Sequence, residues 1–115
     1  MEGERVTQSV WLMVGAIDRP RNHTRDANMR KLQRACLRWG YQWTALVSKD
    51  RHRDKVEARQ IMMKYLREQG WAYSEIGAIL GGRDHATAIY GVKQATHLLD
   101  YDRHFRAKYY EFLNA

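Results

Sequence analysis

Ten consecutive residues, Gly81-Gly82-Arg83-Asp84-His85-Ala86-Thr87-Ala88-Ile89-Tyr90, put charged and hydrogen-bonding side chains at a spacing suited to recognition. Two adjacent glycines accept positive φ without steric cost, so they make a tight turn. Asp84 stands where a helix N-cap belongs, and a good helical run follows it. His85, Ala86 and Thr87 then fall in the first turn, where unpaired N–H groups and partial positive charge favour an anion. Asp84 and His85 could also begin a nuclease or phosphotransfer centre. No second carboxylate or histidine stands at a spacing that would join them in a metal or acid–base pair, so no catalytic and no metal residue is assigned. Upstream, residues 73–80 read as a short helix with Ile76, Ile79 and Leu80 inward. A short helix, a glycine turn and a second helix with a polar tip make a helix-turn-helix.

The elements that must position this tip follow from periodicity. Residues 57–69 give the clearest helix, with Ala58, Ile61, Met62, Tyr65 and Leu66 as one stripe and Gly70 ending it. Trp71 and Tyr73 are placed to cap the core. The tip helix runs from Asp84 to about Leu99, with Ile89, Val92, Thr96 and Leu99 expected on its buried side. Residues 100–102 break it, and residues 102–113 form a last helix with Phe105, Tyr109, Phe112 and Leu113 inward. Residues 27–39 are amphipathic: Met29, Leu32, Cys36 and Trp39 repeat at helical steps, away from Arg30, Lys31, Arg34 and Arg38. Gly40 suits a C-cap, and Tyr41, Trp43 and Leu46 seal the core. Residues 48–55, Ser-Lys-Asp-Arg-His-Arg-Asp-Lys, contain nothing apolar and must be an exposed loop. Residues 18–26 hold the only proline, Pro20, and read as a basic loop or linker. Residues 8–17 read as a helix over part of the core, with a dimerisation element as the alternative. The fold class is all-α, a compact multi-helix bundle containing the helix-turn-helix.

Composition sets the outer limits. The 115 residues suit one domain with a modest core. A net charge of +7 and an isoelectric point near 9.8 favour a polyanionic partner: nucleic acid, an anionic membrane surface or an acidic protein. Cys36, the only cysteine, can form no internal disulfide and reads as a small core residue; with no Cys-x-x-Cys and no zinc spacing, a reducing cytoplasm is expected. The longest apolar run, residues 10–17, is too short to span a bilayer and lacks the flanks of a signal peptide, so no membrane role is expected.

The string Ser74-Glu75-Ile76-Gly77, followed by Gly81-Gly82-Arg83-Asp84-His85-Ala86-Thr87, resembles the C-terminal DNA-binding domain of the bacterial replication initiator DnaA. The likeness extends back through Ser48-Lys49-Asp50-Arg51-His52-Arg53 and Arg59-Gln60 and covers roughly residues 27–113. The chain departs from the family at Ala86, where a threonine is usual. It implies residues 27–115 as the DNA-binding unit and 1–26 as an added arm or extra element. It also implies double-stranded DNA as partner, with the helix at 84–99 in the major groove and the basic loop at 48–55 in the minor groove.

Residue by residue, the resemblance gives Asp84 a cytosine amino group, His85 and Ala86 thymine methyls, and Thr87 a phosphate or base. It places Arg83 on phosphate or guanine, Arg59 on guanine and Gln60 on phosphate. Arg51 is to enter the minor groove, while Lys49, Arg53, Lys55 and Lys93 neutralise phosphates. Loss of the threonine hydroxyl at Ala86 implies a preference that departs from the usual initiator box. Each also has a plain alternative: a cap, a surface histidine, a solvated charge run. No Gly-x-x-x-x-Gly-Lys-[Ser/Thr] string is present, so ATP and other cofactors are not expected. What remains is a non-enzymatic, nucleoid-associated binder of bacterial or phage origin, monomer or homodimer, regulating transcription or replication. Its rival is a protein–protein adaptor for the replication initiator or RNA polymerase, to which four tryptophans and the run at 10–17 could lend an apolar face.

Overall fold

The computed structural model describes residues 22–115, with side chains from residue 24 onward. The element expected at residues 8–17 and most of the arm lie outside the described residues. Six helices follow one another, with no strand among the described residues: α1 Asn22–Trp39, α2 Trp43–Leu46, α3 Arg53–Glu68, α4 Tyr73–Ile79, α5 His85–Tyr101 and α6 Arg103–Leu113. The all-α bundle with a helix-turn-helix at α4 and α5 is therefore the architecture.

α3 is the spine. Its apolar stripe, Ala58, Ile61, Met62, Tyr65 and Leu66, is buried as the spacing required. Leu32, Ala35 and Cys36 of α1 and Phe105, Tyr109 and Phe112 of α6 join the same core. Phe112 stacks on Trp39 at 5.8 Å and meets Tyr65 edge-on at 5.2 Å, which ties the last helix to α1 and α3. A buried polar hub fixes the depth of α1. Asn28 accepts from Trp71 Nε1 at 2.8 Å and donates to the Tyr65 hydroxyl at 3.0 Å and to Gln69 Oε1 at 3.2 Å. A buried amide is tolerated there because its partners are in place.

α5 packs most extensively on α3, and α4 packs on α5. The buried side of α5 is Ala88, Gly91, Val92 and Ala95, a stripe of small residues. This corrects the expectation for Thr96, which is exposed and turns its hydroxyl back onto the Val92 carbonyl at 2.9 Å. Ile89 and Leu99 are only half-buried. Small side chains win because α5 lies close against α3: a Cβ at Gly91 would come within 2.2 Å of Met63 Sδ.

Three boundaries differ from the sequence reading. α1 starts at Asn22, so residues 22–26 of the expected linker are helical, and Arg25 from that segment pairs with Glu75 at 2.7 Å and lies 4.3 Å from the Trp71 ring centroid. α3 starts at Arg53 and takes in the last residues of the expected loop. Asp100 and Tyr101 continue α5, and only Asp102 breaks it. Asp102 serves both neighbours: its N–H closes α5 onto the Leu98 carbonyl at 2.8 Å, and its carboxylate caps α6 by accepting from the Phe105 N–H at 3.0 Å.

Candidate nucleic-acid interface

The turn between α4 and α5 is built as its residues require. Gly81 and Gly82 take φ of +98° and +70°, values that L side chains rarely adopt. Asp84 is extended and accepts from the Thr87 N–H at 2.9 Å, the N-cap of α5. That bond holds its carboxyl below the usual carboxylate range. His85, Ala86 and Thr87 are all exposed on the first turn, and Lys93 is exposed two turns further on.

The loop between α2 and α3 comes to the same side. Asp50 organises it. Its carboxylate accepts from the His52 N–H at 2.8 Å, meets the His52 ring at Nδ1 and pairs with Lys55 Nζ at 3.1 Å. The His52 N–H is the main reason the Asp50 carboxyl is held far below its ordinary range. Lys49 and Arg51 are left exposed on either side of it.

Loop and tip line one concavity. Lys49 and Arg51 of the loop, Arg59 and Gln60 of α3, Arg83 and Asp84 of the turn, and Thr87 and Tyr90 of α5 all contribute to it. Four cations and one carboxylate make it strongly electropositive. The expected residues Lys49, Arg51, Arg59, Gln60, Arg83, Asp84 and Thr87 are thus brought together. His85 and Ala86 flank them at the start of α5.

Arg59 and Arg83 sit differently from the expectation. Arg59 is 6% exposed, and its guanidinium donates to the Leu46 carbonyl at 2.9 Å and the Asp50 carbonyl at 2.5 Å. Arg83 donates to the Ser48 carbonyl at 2.7 Å, the Val47 carbonyl at 3.3 Å and the Leu80 carbonyl. Burial lowers the pKa of both, and Arg83 adds to the lowering at Arg59. Arg53 does not line this concavity. It lies 3.5 Å from Glu57 and 3.8 Å from Asp102, in a separate shallow cleft with His52 and His104. Lys55 is spent on Asp50.

Sequence reasoning missed Tyr90. It is 61% exposed, one turn beyond Thr87 on the same face of α5, and its hydroxyl accepts from Gln94 Nε2 at 3.0 Å. The three-residue step from Thr87 was the available signal.

Fold and site together define a helix-turn-helix with a cationic loop beside its second helix. The family described as bacterial dnaA protein helix-turn-helix matches residues 33–95, more than half of the chain. The chain belongs to that family. It is 40% identical over 77 residues to the chromosomal replication initiator protein DnaA of Thermomicrobium roseum, covering 66% of this chain and 17% of the relative. The DnaA proteins of Bacteroides thetaiotaomicron and Chloroflexus aggregans are 34% identical over 82 residues and 35% over 78. Those matches cover 70% and 67% of this chain and 17% and 16% of the relatives. The chain thus spans about a sixth of the length of the curated relatives it matches. No solved structure matches it.

Proposed function

We propose that this chain is a site-specific binder of double-stranded DNA that regulates transcription or replication at initiator-box-like sites, a binding protein and not an ATPase. The start of α5 enters the major groove and the loop between α2 and α3, carrying Lys49 and Arg51, grips the adjacent minor groove. The binding unit runs from the start of α1 to residue 115, and the residues ahead of α1 are an added arm. One observation carries the reading: the capped tip of α5 and the exposed Lys49 and Arg51 line a single electropositive concavity.

The roles are those the family resemblance implies, and the full or partial exposure of these side chains supports them. Asp84 spends one oxygen on its cap and keeps lone pairs for a cytosine amino group. His85 and Ala86 offer apolar contact to thymine methyls, and Thr87 a hydroxyl to phosphate or base. Arg51 suits a narrow A·T minor groove, where negative potential concentrates. Lys49 and Lys93 neutralise phosphates; Gln60, which lines the concavity, contacts the backbone.

Binding to labelled duplex across a salt series tests this. Affinity should fall steeply as salt rises, since each phosphate contact releases counterions. Binding that is indifferent to salt, or capture of protein without DNA, would replace the reading with the adaptor.

A further inference from the structure

Besides the bonds Asp50 makes within it, the loop that carries Lys49 and Arg51 is held by two arginines from elsewhere. Arg59 reaches from α3 and spans the carbonyls of Leu46, at the end of α2, and Asp50, within the loop. Arg83 reaches from the α4–α5 turn to the carbonyls of Val47 and Ser48 between them. Neither arginine makes an ion pair among the described residues, although Arg59 is almost fully buried. Burying a guanidinium is costly unless its N–H groups are satisfied, and here backbone oxygens do this in place of a carboxylate. The turn and loop touch directly as well: a Cβ at Gly81 would lie 2.2 Å from the Val47 carbonyl oxygen.

We propose that Arg59 and Arg83 are positioning residues, a two-point clamp that sets the distance between the loop and the tip of α5 and so the spacing at which two grooves are read. This rests on the DNA-binding reading above and departs from the guanine contact that resemblance implies for Arg59. A rigid planar fork holds two carbonyls in one fixed geometry; a lysine ammonium, a rotatable point of charge on a flexible stem, fixes their spacing less firmly. Arg59 therefore acts through Arg51, whose approach to DNA depends on where the loop is held.

The test uses Arg59→Lys and Arg83→Gln, each with and without Arg51→Ala, in the full chain. Two readouts are taken: sequence preference from a random DNA pool, and the rate of trypsin cleavage after Lys49 and Arg51 in the folded protein. Each clamp variant should lose discrimination at A·T flanks, as Arg51→Ala does, and keep its preference at every G·C position. Combined with Arg51→Ala, it should add less than about twofold, because both act on one element. Cleavage in the loop should rise about tenfold while helical circular dichroism is unchanged. A drop at one G·C base pair in Arg59→Lys, additive with Arg51→Ala, overturns the clamp and makes Arg59 a base reader. Unchanged cleavage in both variants also overturns it. If Arg59→Lys does not fold, Arg83→Gln, at a half-exposed site, carries the same test. Should the wild type ignore duplex DNA, the binding reading fails; the protease result alone then decides whether the loop is clamped.

Discussion

Arg83 donates its N–H to the Gly77 carbonyl at 2.8 Å, and a Cβ on Gly77 would lie 2.2 Å from the Arg83 carbonyl oxygen. The glycine is the point where the turn closes against α4, and the obstacle to any larger residue is backbone, which cannot swing aside. The angle between the two helices of the motif depends on this contact.

Gly77→Ala should therefore force the turn outward. We expect a loss of about 2–3 kcal/mol, as for overpacking a tight site. Melting by circular dichroism should fall by on the order of 10 °C. An unchanged melting temperature would mean the turn relaxes freely.

Asn28 is a second structural dependence. Asn28→Ala strands the Trp71 indole N–H in the core and removes the donor to Tyr65. Leaving buried partners unsatisfied should cost about 2–3 kcal/mol. Urea unfolding followed by tryptophan fluorescence would show it as a lower midpoint with the same slope.

Asp84 has two roles that substitution can separate. Asp84→Ser keeps an N-cap oxygen, so the melting temperature should hold, while preference at the cytosine position falls. Asp84→Ala should lose that preference and also melt lower, by roughly 5 °C. Equal binding preference in wild type and both variants would leave Asp84 as a cap alone.

Loop order should depend on pH through Asp50. Its folded-state carboxyl is held below the ordinary 3.8, chiefly by the His52 N–H. The stabilisation is therefore present above that value and is lost as pH falls through the lower, folded one. Trypsin being inactive in acid, amide hydrogen exchange of residues 48–53 is the measurement: protection should hold above about pH 5 and decline below pH 4. Asp50→Asn should lack the decline. A decline of the same size in the variant would place its origin elsewhere.

Phosphate contacts have their own signature. Lys49→Ala should reduce the slope of log affinity against log salt by about 1, with no change in sequence preference. A changed preference with an unchanged slope would make Lys49 a base contact.

Much of this was legible in the chain because the signals are local. Gly81, Gly82 and Asp84 encode the turn and cap in their own backbone chemistry, and the stripe from Ala58 to Leu66 encodes α3 by spacing alone. Glu57 and Arg59 were not legible. Both are buried charges, and the groups that accompany their burial come largely from other elements: Lys108 and His104 of α6 beside Glu57, in addition to Arg53 on α3, and loop carbonyls for Arg59. Pattern reading assigns such residues to solvent. The error at Thr96 has a similar source, since the depth of α5 against α3 is set by Gly91 and Met63 and not by the hydropathy of α5. Asn22–Asp26 reads as a loop from its polar composition, yet it is helical, with Arg25 held by Glu75 and Trp71 far along the chain.

The central claim is that two grooves are read from one concavity, and selection of bound duplexes from a random pool tests it most directly. The wild type should enrich a short core motif beside an A·T-rich flank. His85→Ala with Thr87→Ala should flatten the core and spare the flank, while Arg51→Ala should do the reverse. If Arg51→Ala weakens every sequence equally, or the core survives loss of both tip residues, the two-groove account is wrong.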